Sequence, residues 1–314
     1  MIPADVIRWL LEVETPSMRY RTMKELLDKS QNEVNESKSL IEDSDSVKTL
    51  FEKMHPDGYW LQKNPRSGEV TGDGVKYGAF ATTHFCLSYL AELGLDESHP
   101  KVAKATERYL SLQKSDGDFY GHLSCLLGYN IRTFVMLGYK DNSRVKKSID
   151  LLLNTKRPDG GYLCEMHEGK YKTRPVKSCI RGSVKALLAF SYLPECWKHD
   201  RVKELVEYFL SRDGIFKTTN LNEFVNKDIN RNSFPIIWRA NMFEILLALS
   251  KMGYGNNSKL ERAWKLMDTK RDALGSYILD WTPTQCPWKV GKRNQPNKWL
   301  TFYSYLAHKY KDKY

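Results

Sequence analysis

The chain has no apolar run long enough to cross a bilayer. Its longest stretch without Asp, Glu, Lys or Arg lies between Lys76 and Glu92 and contains His84, well short of the ~20 residues a spanning helix needs. No export leader is expected, because Asp5, Arg8 and Glu12 interrupt the only early apolar segment. Cysteine is sparse, with 6 in 314 residues, which excludes a disulfide scaffold and points to free thiols in a reducing, cytoplasmic setting. Alternating apolar patterns of strand length are missing, as are collagen and coiled-coil periods. Aromatics, by contrast, are plentiful. Eight Trp, 18 Tyr and 12 Phe, with 41% hydrophobic residues, are too many for a solvated coil and fit a globular chain with a sizeable core. The 49 Lys and Arg against 38 Asp and Glu give a net charge of +11. That balance favours anionic partners in general without choosing among them, and the scattered lysines read as a solvated basic surface; nucleic acid is not the expected partner.

What recurs is an Asp-Gly turn followed by an aromatic. Asp57-Gly58-Tyr59-Trp60, Asp116-Gly117-Asp118-Phe119, Asp159-Gly160-Gly161-Tyr162 and Asp213-Gly214-Ile215-Phe216 share it, and Leu274-Gly275-Ser276-Tyr277 is a degenerate fifth. Successive glycines stand 43 to 61 residues apart, the length of a helix pair with its connections. Within each unit one helix ends on a Leu-Gly or Met-Gly stop at Gly94, Gly138 or Gly253, where glycine supplies a left-handed cap. A second helix follows with apolar residues at helical spacing, as in Val145, Ile149, Leu152 and Leu153. The helices before the stops (Phe85 to Leu93, Leu126 to Leu137, Val184 to Leu193, Met242 to Met252) are the more apolar set. Repeated helix pairs either spiral openly or close into a ring, and in a ring these helices form the inner layer. Residues 1–50 are helical but more charged, and Thr15-Pro16-Ser17 breaks them; they are expected as an N-terminal helical extension packed on the ring.

These turns resemble the glutamine–tryptophan repeats of the terpenoid cyclase and protein prenyltransferase superfamily, with Gln113 alone supplying the glutamine. The chain is most similar to stand-alone prenyltransferase-like or squalene-cyclase-like toroids. The likeness lies in Trp9-Leu10-Leu11 through Pro16 to Thr22, Cys125 to Asn130, Ser178-Cys179 through Lys185 to Ala189, and Pro296 to Thr301. The resemblance implies an all-α, α/α toroid of five to six helix pairs, one domain over residues 1–314. The superfamily's chemistry does not carry over residue by residue. The sequence holds no Asp-x-Asp-Asp acid, no Asp-Asp-x-x-Asp magnesium helix and no Asp-x-Cys of a prenyltransferase zinc site.

Candidate site residues fall into three groups. His84 enters the first inner helix from an uncharged run, with Asp73 and Tyr77 upstream to orient it as an acid, base or ligand. Cys125 and Cys179 begin inner helices, and Cys164 and His167 follow the intervening turn. Thiolate and imidazole together suit zinc. The similar toroids carry cysteines at these places, which implies zinc or an iron–sulfur cluster. Arg132, Arg181, Lys185 and Arg239 lie in or at the start of inner segments, accompanied by Tyr129 and Trp238. Basic donors above an aromatic wall suit an isoprenoid diphosphate or another anionic amphiphile, and equally an acidic sugar.

The leading expectation is a terpenoid-cyclase-like toroid with an axial pocket lined by His84, Tyr129, Arg181, Trp238 and Arg239. The alternatives are a carbohydrate-active toroid, lyase or hydrolase, using His84 with Tyr77 or Asp73, and a metal-stabilised binding module without catalysis.

Overall fold

The computed structural model describes residues 2–63, 70–71, 80–119, 125–164, 177–237 and 239–313. Helices dominate. They are α1 (Ala4–Leu10), α2 (Pro16–Arg21) continued by a π-helical turn (Thr22–Leu26), α3 (Gln31–Ser39) and α4 (Asp45–Glu52). Next come α5 (Thr83–Leu93), α6 (Pro100–Leu110), α7 (Cys125–Met136) and α8 (Ser143–Asn154). The last are α9 (Ile180–Phe190), α10 (Asp200–Leu210), α11 (Met242–Lys251), α12 (Glu261–Asp268) and α13 (Lys298–Lys313). Strand is confined, among the described residues, to two small antiparallel pairs: Gln62–Lys63 (β1) with Val70–Thr71 (β2), and Phe216–Lys217 (β3) with Asn220–Phe224 (β4). No helix among the described residues is long and apolar enough to cross a membrane.

Two kinds of helix alternate along the chain. Every residue of α5 is buried, as is α11 from Met242 to Ser250. Helix α6 instead buries Val102, Ala105, Thr106, Tyr109 and Leu110, the one-sided stripe of an outer-layer helix. The inner helices pack in order: α5 on α7, α7 on α9, α9 on α11, α11 on α13 and α13 on the π-helical turn. The α7–α9 approach is close enough to require Gly128, since a Cβ there would lie 2.6 Å from the Lys185 carbonyl carbon.

The Asp-Gly turns hold the outer layer. All five glycines have positive φ, a conformation that costs other residues about 1–2 kcal/mol. Each turn sits against the next outer helix. Gly58 faces Lys104 of α6, Gly117 faces Lys147 of α8, Gly160 faces Glu204 of α10, and Gly214 faces Leu260 and Ala263 beside and within α12. The aromatics after them (Trp60, Phe119, Tyr162, Phe216 and Tyr277) are all buried. Three of these bond forward to an inner helix through their backbone N–H: Trp60 to Thr83 Oγ1 at 3.0 Å, Tyr162 to Ser183 Oγ at 3.0 Å and Tyr277 to Thr301 Oγ1 at 2.9 Å.

The fifth turn closes the circuit. Gly275 faces Pro3, which caps the first helix, and Val6 within it, so α1 occupies the outer place after α12. Helix α2 and its π-helical turn occupy an inner place, where Arg21 donates to Glu92 of α5 at 2.7 Å and to Tyr303 of α13 at 2.7 Å. The segment expected as an extension on the ring thus supplies positions within it. The physical reason is Arg21, a fully buried cation that needs the carboxylate of another inner helix.

Candidate functional site

His84 lies in the first turn of α5 and is 1% exposed. Its Nδ1 stands 3.1 Å from the Thr82 hydroxyl, and its Nε2 has no hydrogen-bond partner among the described residues. Tyr109 and Tyr129 face the ring at centroid distances of 6.3 and 6.1 Å. Burial alone pushes the imidazole down to about 3, so it is neutral at physiological pH and serves as a hydrogen-bonding group there. Asp73 and Tyr77, expected beside it, lie outside the described residues, as do His167 and Trp238.

Two buried charge networks lie among the inner helices, each paired within itself. Arg132 is 2% exposed, and its Nη1 contacts Glu92 Oε1 at 2.6 Å while its Nη2 donates to Tyr303 at 3.0 Å. With Arg21 and the Tyr303–Glu92 hydrogen bond, this ties α2, α5, α7 and α13 together. Burial would raise the Glu92 carboxyl, but Arg132 and Arg21 outweigh it and hold it below the ordinary range. Lys185 of α9 pairs with Glu244 of α11, which also accepts from Asn241 Nδ2 at 2.7 Å. Burial lowers the Lys185 ammonium and raises the Glu244 carboxyl, each against the pull of its partner. Arg132 and Lys185, both expected to face a ligand, are thus each held by a buried carboxylate inside the ring.

Arg181 and Arg239 meet at one carboxylate. Arg181 Nη2 lies 2.9 Å from Asp228 Oδ2, and Arg239 Nη1 lies 2.8 Å from Asp228 Oδ1. Arg231 approaches the same carboxylate at 3.5 Å. Asp228 is nearly buried, and its loop is pinned by the Met242 N–H on the Ile229 carbonyl at 3.0 Å. The Arg239 guanidinium also lies 4.1 Å from the centroid of Trp281, a cation–π contact that fixes its plane. Beside this cluster runs an open groove of about 680 Å³ lined by Arg181, Lys217, Asn222, Phe224, Asn226 and Lys227. Groove and cluster together hold five cations (Arg181, Lys217, Lys227, Arg231, Arg239) against Asp228 and Glu223 among the described residues.

Cys125 and Cys164 are buried and Cys179 is half-buried at the start of α9, where its N–H donates to the Tyr162 carbonyl at 2.7 Å. Among the described residues, no three His, Cys, Asp or Glu side chains gather as a metal site. His167, the fourth member of the expected set, lies outside the described residues, and no chemical step is derived through a metal.

Sequence reasoning named Arg181 and Arg239 but not Asp228, which joins them. That aspartate sits in irregular chain without a period to mark it. Glu92 carried a legible signal as the only formal charge in the apolar run from Phe85 to Leu93, the mark of a buried carboxylate that needs partners.

No family model matches the chain, and no curated protein matches it in sequence. Among solved structures, a polysaccharide lyase superposes with a TM-score of 0.51 at 13% identity, over 99% of this chain and 90% of that one. A glycosyl hydrolase of family 88 from Bacteroides vulgatus gives 0.51 at 14% identity, over 96% of each chain. A type II terpene cyclase from Scytonema gives 0.34 at 13% identity, over 88% of this chain and 97% of that one, too loose to carry an argument. The first two share the α/α toroid fold with this chain.

Proposed function

We propose that the chain is a carbohydrate-active α/α toroid that seats an acidic saccharide in the groove beside Arg181 and Arg239. The observation that carries this reading is the Asp228 carboxylate holding both guanidiniums, with that of Arg181 on the wall of an open, polar groove. Guanidiniums fixed in this way suit a uronate carboxylate or a sulfate, which they can engage bidentately. Asparagine amides at 222 and 226 supply donors and acceptors for hydroxyl groups. The aromatic packing of Phe234 against Trp288, Trp299 and Tyr303, at centroid distances of 5.5, 5.4 and 6.0 Å, favours a hydrophilic ligand over an isoprenoid tail threaded through the interior. The shared fold of a polysaccharide lyase and a glycosyl hydrolase agrees with this ligand class. His84, with Asp73 and Tyr77, is the proposed catalytic group, its neutral Nε2 acting as the hydrogen-bonding end.

Calorimetry with oligogalacturonate, a heparin tetrasaccharide and farnesyl diphosphate tests the reading. Acidic saccharide binding that weakens as salt rises is expected. Arg181→Ala and Arg239→Ala should each cost about 1–3 kcal/mol of binding for a lost charged hydrogen bond. A lyase product would carry a conjugated double bond, and a hydrolase product would not. Tighter binding of farnesyl diphosphate, or no binding of either saccharide, would overturn the proposal in favour of the isoprenoid reading or a scaffold. Zinc or an iron–sulfur cluster at Cys125, Cys164, His167 and Cys179 stands as a separate proposal, tested by metal analysis of protein purified without chelator.

A further inference from the structure

A second cavity lies between the N-terminal helices and the start of α13. It encloses about 550 Å³, within the range of small-molecule sites. On one side stand Trp9, Glu14, Ser17 and the Asp43–Ser46 segment; on the other stand Trp288, Lys289 and Trp299. Four features define its chemistry. First, Ser17 is only 5% exposed, yet its hydroxyl has no hydrogen-bond partner among the described residues. A buried hydroxyl left without a partner is costly unless something outside the chain satisfies it. Second, Ser46 adds a further hydroxyl to the same wall, beside Ser44 and Thr15, whose hydroxyls donate to the Ile41 and Glu12 carbonyls at 2.7 and 3.3 Å. Third, Trp9 lies half-buried on its wall, with the buried Trp288 and Trp299 behind, and an indole offers a flat apolar face with a polar edge. Fourth, the ionic balance is set against anions. Lys298 is already held by Glu12 Oε2 at 2.6 Å and Thr15 Oγ1 at 2.9 Å. Asp43 has Lys48 at 3.2 Å, while Glu14 and Asp45 have no ion-pair partner among the described residues.

We infer that this crevice is a subsite for an uncharged saccharide unit, separate from the groove that takes the acidic one. A pyranose has C–H faces that lie on indole and hydroxyl groups that donate to carboxylate and accept from serine, which is the set of groups found here. The inference rests on the carbohydrate reading for its ligand class, but on neither Arg181 nor Arg239. A chain with both sites would hold an acidic unit at one place and a neutral unit at the other, and so would select a mixed heteropolysaccharide.

The test is calorimetry and tryptophan fluorescence with cellotetraose and chitotetraose, alongside oligogalacturonate and choline. Binding of a neutral tetrasaccharide is expected, with a change in indole emission. Trp9→Ala and Glu14→Gln should each weaken it about tenfold, and Arg181→Ala should leave it unchanged. Ser17→Ala should also weaken it while leaving thermal stability equal or higher, because it removes an unsatisfied hydroxyl; a merely structural serine would not separate the two. Absence of binding by both neutral tetrasaccharides, binding that survives Trp9→Ala and Glu14→Gln, or tighter binding of choline would each overturn the inference. Failure of oligogalacturonate alone would sink the acidic groove and leave this subsite standing.

Discussion

The imidazole of His84 and the carboxylate of Glu92 stand on one helix and respond to acid for different reasons. Burial holds His84 down to about 3 against an ordinary 6.5. Below pH 6.5 the unfolded chain takes up a proton there that the folded chain refuses, so stability is intact above that value and falls as pH drops towards 3. At about 1.4 kcal/mol per unit, acidification from pH 6.5 to 4 should cost about 3 kcal/mol from this residue. Urea melts across that range should show the slope in the parent and its loss in His84→Gln. Glu92 is held below its ordinary range by Arg132 and Arg21, so its contribution is present above the normal carboxylate pKa and is lost in stronger acid. Glu92→Gln leaves two buried guanidiniums without their shared anion. It should destabilise the fold by about 3–5 kcal/mol, read as a shift of the urea midpoint.

At the scale of the element, the Asp-Gly turn joins one helix pair to the next, and its glycine answers to two constraints. Gly160 has φ +76, and a Cβ there would lie 2.8 Å from the Glu204 carbonyl oxygen. Gly253 has φ +87 but nothing within 4 Å. Alanine at 253 meets only the backbone penalty and should cost about 1–2 kcal/mol. At 160 it must also push α10 away, which should bring the total to about 3 kcal/mol or more. Chemical denaturation of the two variants measures the difference. Equal losses would mean that the turn does not bear on α10 as the geometry has it.

For the whole molecule, the question is whether the N-terminal helices belong to the cooperative unit. Gly275 faces α1, and Arg21 reaches Glu92 and Tyr303 from α2. Residues far apart in sequence therefore share buried partners. Far-UV and near-UV circular dichroism should report one coincident transition, and Arg21→Ala should shift all of it. An early, separate melting of residues 1–50 would instead mark them as an appendage. Hydrogen exchange resolves the two outcomes directly, since protection of α2 should match that of α5.

Local signals determined much of this architecture. A glycine after an aspartate, an aromatic after the glycine and a stripe or a full wrap of apolar residues on the helices between are all short-range patterns. They were enough to place the turns and separate two kinds of helix, and the family resemblance they carry implied a toroid. They were not enough to place residues 1–50, because closure of the ring depends on contacts such as Arg21 with Glu92, 71 residues apart. The same limit divided the candidate site. Arg132, Arg181, Lys185 and Arg239 read alike in sequence, as cations at or in inner helices. Only the tertiary structure showed that Glu92 and Glu244 take up two of them inside the ring, while Asp228 gathers the other two at a groove. The reason is physical: a side chain's residue type sets what it can bind, but burial and the carboxylate that reaches it first decide whether it binds a ligand or its own fold.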